Sequence, residues 1–434
     1  MVTGLGMATS LGFGMEVNWE RMLDGESEIA ENPPEDFLPP ISLPVRLGAP
    51  INREQLAEKI RRAVRRSIWN TSSEVCHLWI LTALEALAGA GVRPSGAEGG
   101  PAGMSEVDPT RVGIFVGTSA GSVRFIEHEY ANMYTAEKAV HRDVSRMGVT
   151  KYMASSLAAQ LSLVTGFRGE AFTVNSACSS GAQAILAALD ALRLGRLDCA
   201  VAGGAEMPMG GTVLKGFSNL GALSKRGDLG PGASRPFDRD RDGFVLGEGA
   251  ACLFLETESH AQGRGVAALA RLAGGASAAE AHGLLSQKED GSEIARCIEL
   301  ALADAGMTRG AVRHVQAHGT GTPNNDRCEA LALSRLFPHR PTVSASKALL
   351  GHTIGAGAAI DAALAVRTLV TGRPLPVRHV ERPDPECDLN LAGEGGTLDG
   401  GAVLVNSCAF GGHNAALLFT RAQAHSADQG AGKA

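Results

Sequence analysis

Residues 173–192 read TVNSACSSGAQAILAALDAL, and residues 342–366 read TVSASKALLGHTIGAGAAIDAALAV. Each stretch opens as a short strand, passes through a turn of small residues and continues as an Ala-rich helix. In the first, Ile185, Leu186, Leu189 and Leu192 repeat at helical spacing. The second carries a short insertion. A duplicated α/β unit leaves such an echo in a sequence. The expected fold is therefore α/β, made of two similar halves.

Working outward, Val112-Gly113-Ile114-Phe115-Val116-Gly117-Thr118 reads as a fully buried strand. Cys199–Gly204 and Ala250–Leu255 read as further strands, with a long excursion over 210–249 between them. Ala171–Asn175 is a strand that runs straight into Cys178, and Val315–Ala317 is a short strand that ends at His318. Val403–Asn406 and Ala415–Phe419 close the chain as a hairpin. Trp79, Ile80, Leu84 and Leu87 give a helical stripe, as do Ile294, Ile298 and Leu302. Residues 25–60 are polar and Pro-rich, 89–110 form a Gly/Pro-rich loop, and 120–165 are mostly helical in pattern. Val2–Gly6 reads as the end of a buried strand, so the chain starts inside its first strand and loses a little edge pairing. The halves are placed at 1–256 and 257–424, with a flexible tail at 425–434.

Charged residues make up 20% of the 434 and hydrophobic residues 44%, the balance of a soluble globular protein. The net charge of −6 and the lack of a basic block exclude nucleic acid as the expected partner. No uninterrupted apolar run approaches about 18 residues, so no membrane span is expected. Eight scattered cysteines without a CxxC pair, in a chain that opens without a signal peptide, read as reduced thiols in the cytoplasm.

Cys178 stands at a strand-to-helix turn, where helix N-terminal amides lower a thiol pKa and bind an oxyanion. Small neighbours leave room for a thioester. Alone, this pattern also fits a buried structural cysteine. His318, in Val315-Gln316-Ala317-His318-Gly319-Thr320-Gly321-Thr322-Pro323, is delivered by a strand into a Gly/Thr loop. His352 lies in a Gly-rich run that permits close approach to a ligand, and Lys347 sits five residues earlier. Singly, each of these also fits a structural role.

Taken together, VTGLGMATSLG, SACSSGA, AGGAEMP, RPFDRDRDGFVLGEGA, AHGTGTPNND, KALLGHTIGAGA, PDPECDLN and NSCAFGGHNAAL run in order from residue 2 to residue 417. In this the chain resembles the elongating β-ketoacyl-carrier-protein synthases, of the thiolase fold. The resemblance implies duplicated halves in a five-layer α-β-α-β-α arrangement. It implies that Cys178 accepts an acyl chain from a carrier-protein thioester, and that a malonyl thioester then loses CO₂ and attacks it. His318 and His352 would donate hydrogen bonds to the enolate oxygen. The N–H groups of Cys178 and Phe410 would form the oxyanion hole. Lys347 would organise the site, paired with Glu329. Thr320 and Thr322 would line the pantetheine channel, and Phe410 would be the gate. No metal and no cofactor are implied beyond the phosphopantetheine arm of the carrier protein. The implied partners are an acyl carrier protein and a second copy in a homodimer, with a heterodimer containing a chain-length factor as the alternative.

The chain departs from the common pattern at Cys408 and Ala409, where the family usually has an aromatic and a glycine. Cys408 widens the pocket in one reading and acts as an acid/base, as in thiolases, in another. Ser179 and Ser180 replace the more usual Ala-Thr or Ala-Ser. A non-catalytic chain-length factor is disfavoured by Cys178 with His318, His352 and Lys347, a thiolase by His318, and a starter-type synthase by His352. A specialised pathway, such as polyketide or polyene assembly, is favoured over housekeeping fatty-acid elongation.

Overall fold

A computed structural model describes residues 1–31, 47–94, 107–134 and 144–422. The expected flexible tail, residues 95–106 of the Gly/Pro-rich loop and residues 32–46 lie outside the described residues. The first half supplies β1 (Val2–Thr9), α1 (Glu74–Gly89), β2 (Val112–Gly117), β3 (Ala171–Val174), α2 (Ser180–Arg193), β4 (Cys199–Glu206) and β5 (Gly249–Glu256). The second supplies β6 (Ala270–Ala279), α3 (Ser292–Asp304), β7 (Val312–Gln316), α4 (Pro323–Leu336), β8 (Thr342–Ser344), α5 (Gly357–Thr371), β9 (Ala402–Ser407) and β10 (His413–Arg421).

The strand order is β1-β5-β4-β2-β3 in one half and β6-β10-β9-β7-β8 in the other. The directions match too: in each half the first three strands of that order pair antiparallel and the last three parallel. The two copies thus have one topology, as the echo between 173–192 and 342–366 suggested. They join where Val2 meets Ala270 antiparallel, and Leu269 N–H donates to Val2 O at 2.8 Å. β1 therefore lies mid-sheet, although it meets β6 through the single pair Val2–Ala270.

Helices α2 and α5 pack between the two sheets, α1 covers the outer face of the first and α3 that of the second, which gives five layers. The small residues of α2 and α5 have a physical purpose. A Cβ on Gly181 would stand 2.9 Å from the Ala359 Cβ, so the two central helices touch only because the side chain is missing. Twelve of the fifteen residues of α5 are buried, the pattern of a helix enclosed on all sides. Among the described residues one helical stretch, Ile354–Thr371, is long and apolar enough to cross a membrane, and 83% of it is buried inside the fold. That burial marks it as a core helix.

Candidate active site

β3 ends at Val174 and α2 begins at Ser180, so the chain must reverse over five residues. Ala177 takes φ 52°, a left-handed conformation that strains a non-glycine residue. The turn is locked by hydroxyls: Ser176 N–H donates to Ser180 Oγ (2.9 Å), Ser180 Oγ to Ala177 O (2.6 Å) and Ser179 Oγ to Ser176 O (2.9 Å). The two serines that depart from the usual pattern are thus the braces of the nucleophile turn.

The turn presents the Cys178 thiol, 6% exposed, to His352, with Nε2 3.1 Å from Sγ. The lowered thiol pKa expected from the helix N-terminus does not hold. Burial pushes the thiol up to about 12 and outweighs the opposing pulls of the Lys347 charge and of the Phe410 and Cys178 amides. The two amides expected to form the oxyanion hole are both within reach of the sulfur. The resting cysteine is a neutral thiol beside a neutral imidazole.

His318 follows β7 in a loop gripped by α4. Glu329 accepts the N–H groups of His318 (2.7 Å) and Gly319 (2.8 Å) and the Asn406 amide (2.6 Å). Asp326 accepts those of Thr320 (3.1 Å) and Gly321 (3.2 Å). Three residues apart, the two carboxylates share one helix face. Burial raises the Glu329 carboxyl to about 7, against the pull of these bonds.

His352 is pinned through its backbone: its N–H donates to Val245 O (2.7 Å) and its carbonyl accepts from Gly247 (3.0 Å). Its ring stands edge-on to His318, centroids 5.3 Å apart. Burial holds both imidazoles well below their ordinary pKa, and the Lys347 charge pushes them further down. Both are therefore neutral at pH 7 and able to donate an N–H.

The expected Lys347–Glu329 pair is not formed. Lys347 Nζ binds Asp361 Oδ2 at 2.9 Å, both buried, while Ser346 Oγ and Gln316 Nε2 bind the other oxygen. Glu329 is already occupied by backbone and amide donors, whereas Asp361 on α5 faces the lysine. Sequence reasoning missed Asp361, which sits in an Ala-rich run without any polar signal. It also missed Glu206, although that residue stands in the quoted AGGAEMP. Glu206 accepts the N–H groups of Ser119 (2.6 Å), Gly121 (2.9 Å) and Gly355 (3.1 Å), tying a loop of each half together behind Cys178.

One cavity of about 350 Å³ is lined by Cys178, His318, His352, Thr320, Thr322, Cys408 and Phe410. Phe410 stacks on Phe217, centroids 6.4 Å apart, and Phe217 packs edge-on against Phe244 at 5.3 Å. Cys408 is buried, accepts from Asn406 Nδ2 at 3.5 Å, and is held protonated by burial and the nearby Glu329. Among the described residues two donor sets are compact enough to hold a metal ion, Cys178–His318–His352 and Cys199–Glu256–His260. In the second, the Arg264 guanidinium already binds both Glu256 oxygens at 3.0 and 3.1 Å and would oppose a cation.

The sequence matches the beta-ketoacyl synthase N-terminal domain over residues 1–261 and the C-terminal domain over residues 269–381. The chain belongs to the beta-ketoacyl synthase family. The synthase is 34% identical to a 3-oxoacyl-[acyl-carrier-protein] synthase 2 of Mycobacterium bovis, with 97% of each chain covered. A crystal structure of a beta-ketoacyl synthase from Burkholderia phymatum is similar to it with a TM-score of 0.87 at 31% identity, covering 97% of this chain and 99% of that one. The AntDE:AntF complex, a type II PKS acyl-carrier protein with its ketosynthase, holds a chain that is similar with a TM-score of 0.83 at 25% identity, covering 97% of this chain and 98% of that one. The synthase is an acyltransferase of the ketosynthase class with a thiolase fold.

Proposed function

We propose that the synthase carries out a decarboxylative Claisen condensation through Cys178. One observation carries the reading: the reactive atoms of Cys178, His318 and His352 lie within 4.8 Å of one another at one cavity. In the first step the thiol proton passes to His352 as sulfur attacks the acyl thioester, and the proton then leaves on the carrier thiol. The amides of Cys178 and Phe410 hold the oxyanion. In the second step the malonyl C–C bond to the carboxylate breaks and CO₂ departs. The electron pair becomes an enolate whose oxygen accepts from the neutral His318 and His352. The enolate carbon attacks the acyl carbonyl and expels the Cys178 sulfur as thiolate, which takes up one proton from solvent. No base is consumed, which suits two imidazoles kept neutral. Burial keeps them so, and Lys347, fixed by Asp361, adds to it.

Thr320 and Thr322, whose hydroxyls are 2.9 Å apart at the cavity wall, would line the path of the pantetheine arm. The synthase needs no cofactor of its own in this scheme. Its partner would be an acyl carrier protein bearing acyl and malonyl groups. The outer edge of β3 supports a homodimer, because Phe172 there and Leu163 beside it are 41% and 61% exposed. Pairing with a chain-length factor would use the same edge. The divide between halves would fall between residues 256 and 257, and the eight free, buried cysteines support a cytoplasmic setting. Cys408 and Ala409 beside Phe410 support a specialised acyl chain, in polyketide or polyene assembly. A panel of acyl carriers showing simple preference for medium saturated chains would overturn that last point.

The decisive experiment is intact-protein mass after incubation with acyl-carrier thioester. Wild type should gain one acyl group and Cys178→Ala none, and malonyl-carrier should then release a β-ketoacyl product. Acylation of Cys178→Ala to the wild-type extent would overturn the assignment.

A further inference from the structure

A second cavity, of about 540 Å³, shares no lining residue with the catalytic one. It opens at the N-terminus of α1 and is lined by Ser72, Ser73, Glu74, His77, Arg124 and Lys151 among others. Three observations give it a chemical character. First, α1 is sixteen residues long and its N-cap, Ser73, makes no side-chain bond to the helix's first-turn amides. Those amides and the helix dipole face a region where an anion is favoured. Second, His77 is 5% exposed and its Nε2 has no hydrogen-bond partner, a costly state for a buried polar atom. The ring cannot turn away to find one, because it is stacked on Trp69 at 4.5 Å, and Trp69 is covered in turn by the Arg61 guanidinium at 4.8 Å.

Third, neither Arg124 nor Lys151 has a carboxylate partner among the described residues. Arg124 makes one long bond to Met209 O (3.5 Å), and the Lys151 ammonium lies over the Phe125 ring at 5.4 Å. The one carboxylate lining the cavity, Glu74, lies 3.5 Å from Arg53, whose guanidinium is bonded to Glu248. The Ser72, Ser73 and Ser122 hydroxyls at its wall already donate to Ile68 O, Cys76 Sγ and Ser73 Oγ, so the cations and the helix amides supply the charge an anion needs.

We propose that this cavity binds a phosphate group, held by Arg124, Lys151, His77 and the N-terminus of α1. Its volume exceeds what inorganic phosphate fills, so the phosphate of a larger ester and the free ion both satisfy the chemistry. Burial holds the His77 imidazole at about 4, so near pH 7 it is neutral; its one N–H goes to the Trp69 carbonyl, and Nε2 is left to accept the hydroxyl of a singly protonated phosphate.

The test is calorimetric titration of the full-length protein at fixed ionic strength with two probes, inorganic phosphate and adenosine 5′-monophosphate. Wild type should bind at one site, with a matching rise in melting temperature. Lys151→Gln and Arg124→Gln should each weaken binding by about tenfold, and Arg309→Gln, which removes a cation elsewhere, should leave it unchanged. Tighter binding of the monophosphate assigns the site to a phosphate ester, and tighter binding of inorganic phosphate to the free ion. No binding of either probe by wild type overturns the proposal. So does binding that persists in both Lys151→Gln and Arg124→Gln, or that falls as far in Arg309→Gln.

Discussion

The two halves share one topology and put their chemistry at corresponding turns, yet they reach it differently. In the first half the chain leaves β3 and arrives at Cys178 with Ala177 at φ 52°. In the second it leaves β8, makes one extra helical turn at Lys347–Leu350, and arrives at His352 with Gly351 at φ 66°. Aligned from the strand, TVNSAC and TVSASK set Cys178 against Lys347. The extra turn is the insertion seen in the sequence, and it carries His352 to within 3.1 Å of the thiol. The halves also brace their loops with different parts. Glu206, at the end of β4, holds the loop after β2, whereas Glu329 and Asp326, on α4, hold the loop after β7. Duplication copied the backbone frame. Separate residues then placed Cys178 in one half and His318 and His352 in the other.

The sharpest way to break this comparison is at the lysine that replaces the nucleophile in the second copy. Asp361→Asn strands the buried Lys347 ammonium and should cost about 3–5 kcal/mol of stability, read by denaturant unfolding. A loss below about 1 kcal/mol would mean that the pair is not what holds the second turn. The division of labour comes next. His318→Ala should lower condensation by roughly 10²–10³-fold while Cys178 still takes its acyl group, checked by intact mass beside product assay. Equal loss of both steps would make the second half part of the nucleophile's machinery.

The pH dependence compares the braces. Burial raises Glu206 to about 7, against an ordinary carboxyl value of 4.5, and Glu329 likewise. Between those values the unfolded chain has lost the proton and the folded one keeps it. Stability from each group is thus complete below 4.5 and falls as pH rises toward 7. Glu206→Gln and Glu329→Gln should each flatten the melting temperature between pH 5 and 7, by similar amounts if the two braces are equivalent. The smallest effects lie at the hinges. A Cβ on Gly351 would stand 2.8 Å from Val245 O, so Gly351→Ala should cost about 1–3 kcal/mol. Ala177→Gly relieves a left-handed alanine but frees the unfolded chain, and should change stability by less than about 1 kcal/mol. Chemical denaturation of both variants ranks them.

Much was legible because it is local. Strand, small-residue turn and helix are written in residue periodicity, so the two copies of the α/β unit and the turns holding Cys178 and His352 stood in the sequence. Thr320, Thr322, Cys408 and Phe410 all line the cavity that holds Cys178. The hydroxyl locks of Ser179 and Ser180 showed only as an unexplained departure, because a serine's partner depends on the turn it closes.

What the sequence by itself determined is therefore the repeated frame and the residue types at its turns, which follow from spacing over a few neighbours. The tertiary structure decided the pairing of Lys347 with Asp361 rather than Glu329, since the two carboxylates compete by position. It decided the direction of the Cys178 shift as well. A helix N-terminus pulls the thiol down, but burial by residues hundreds of positions apart pushes it up further, and desolvation is a property of the packed molecule alone.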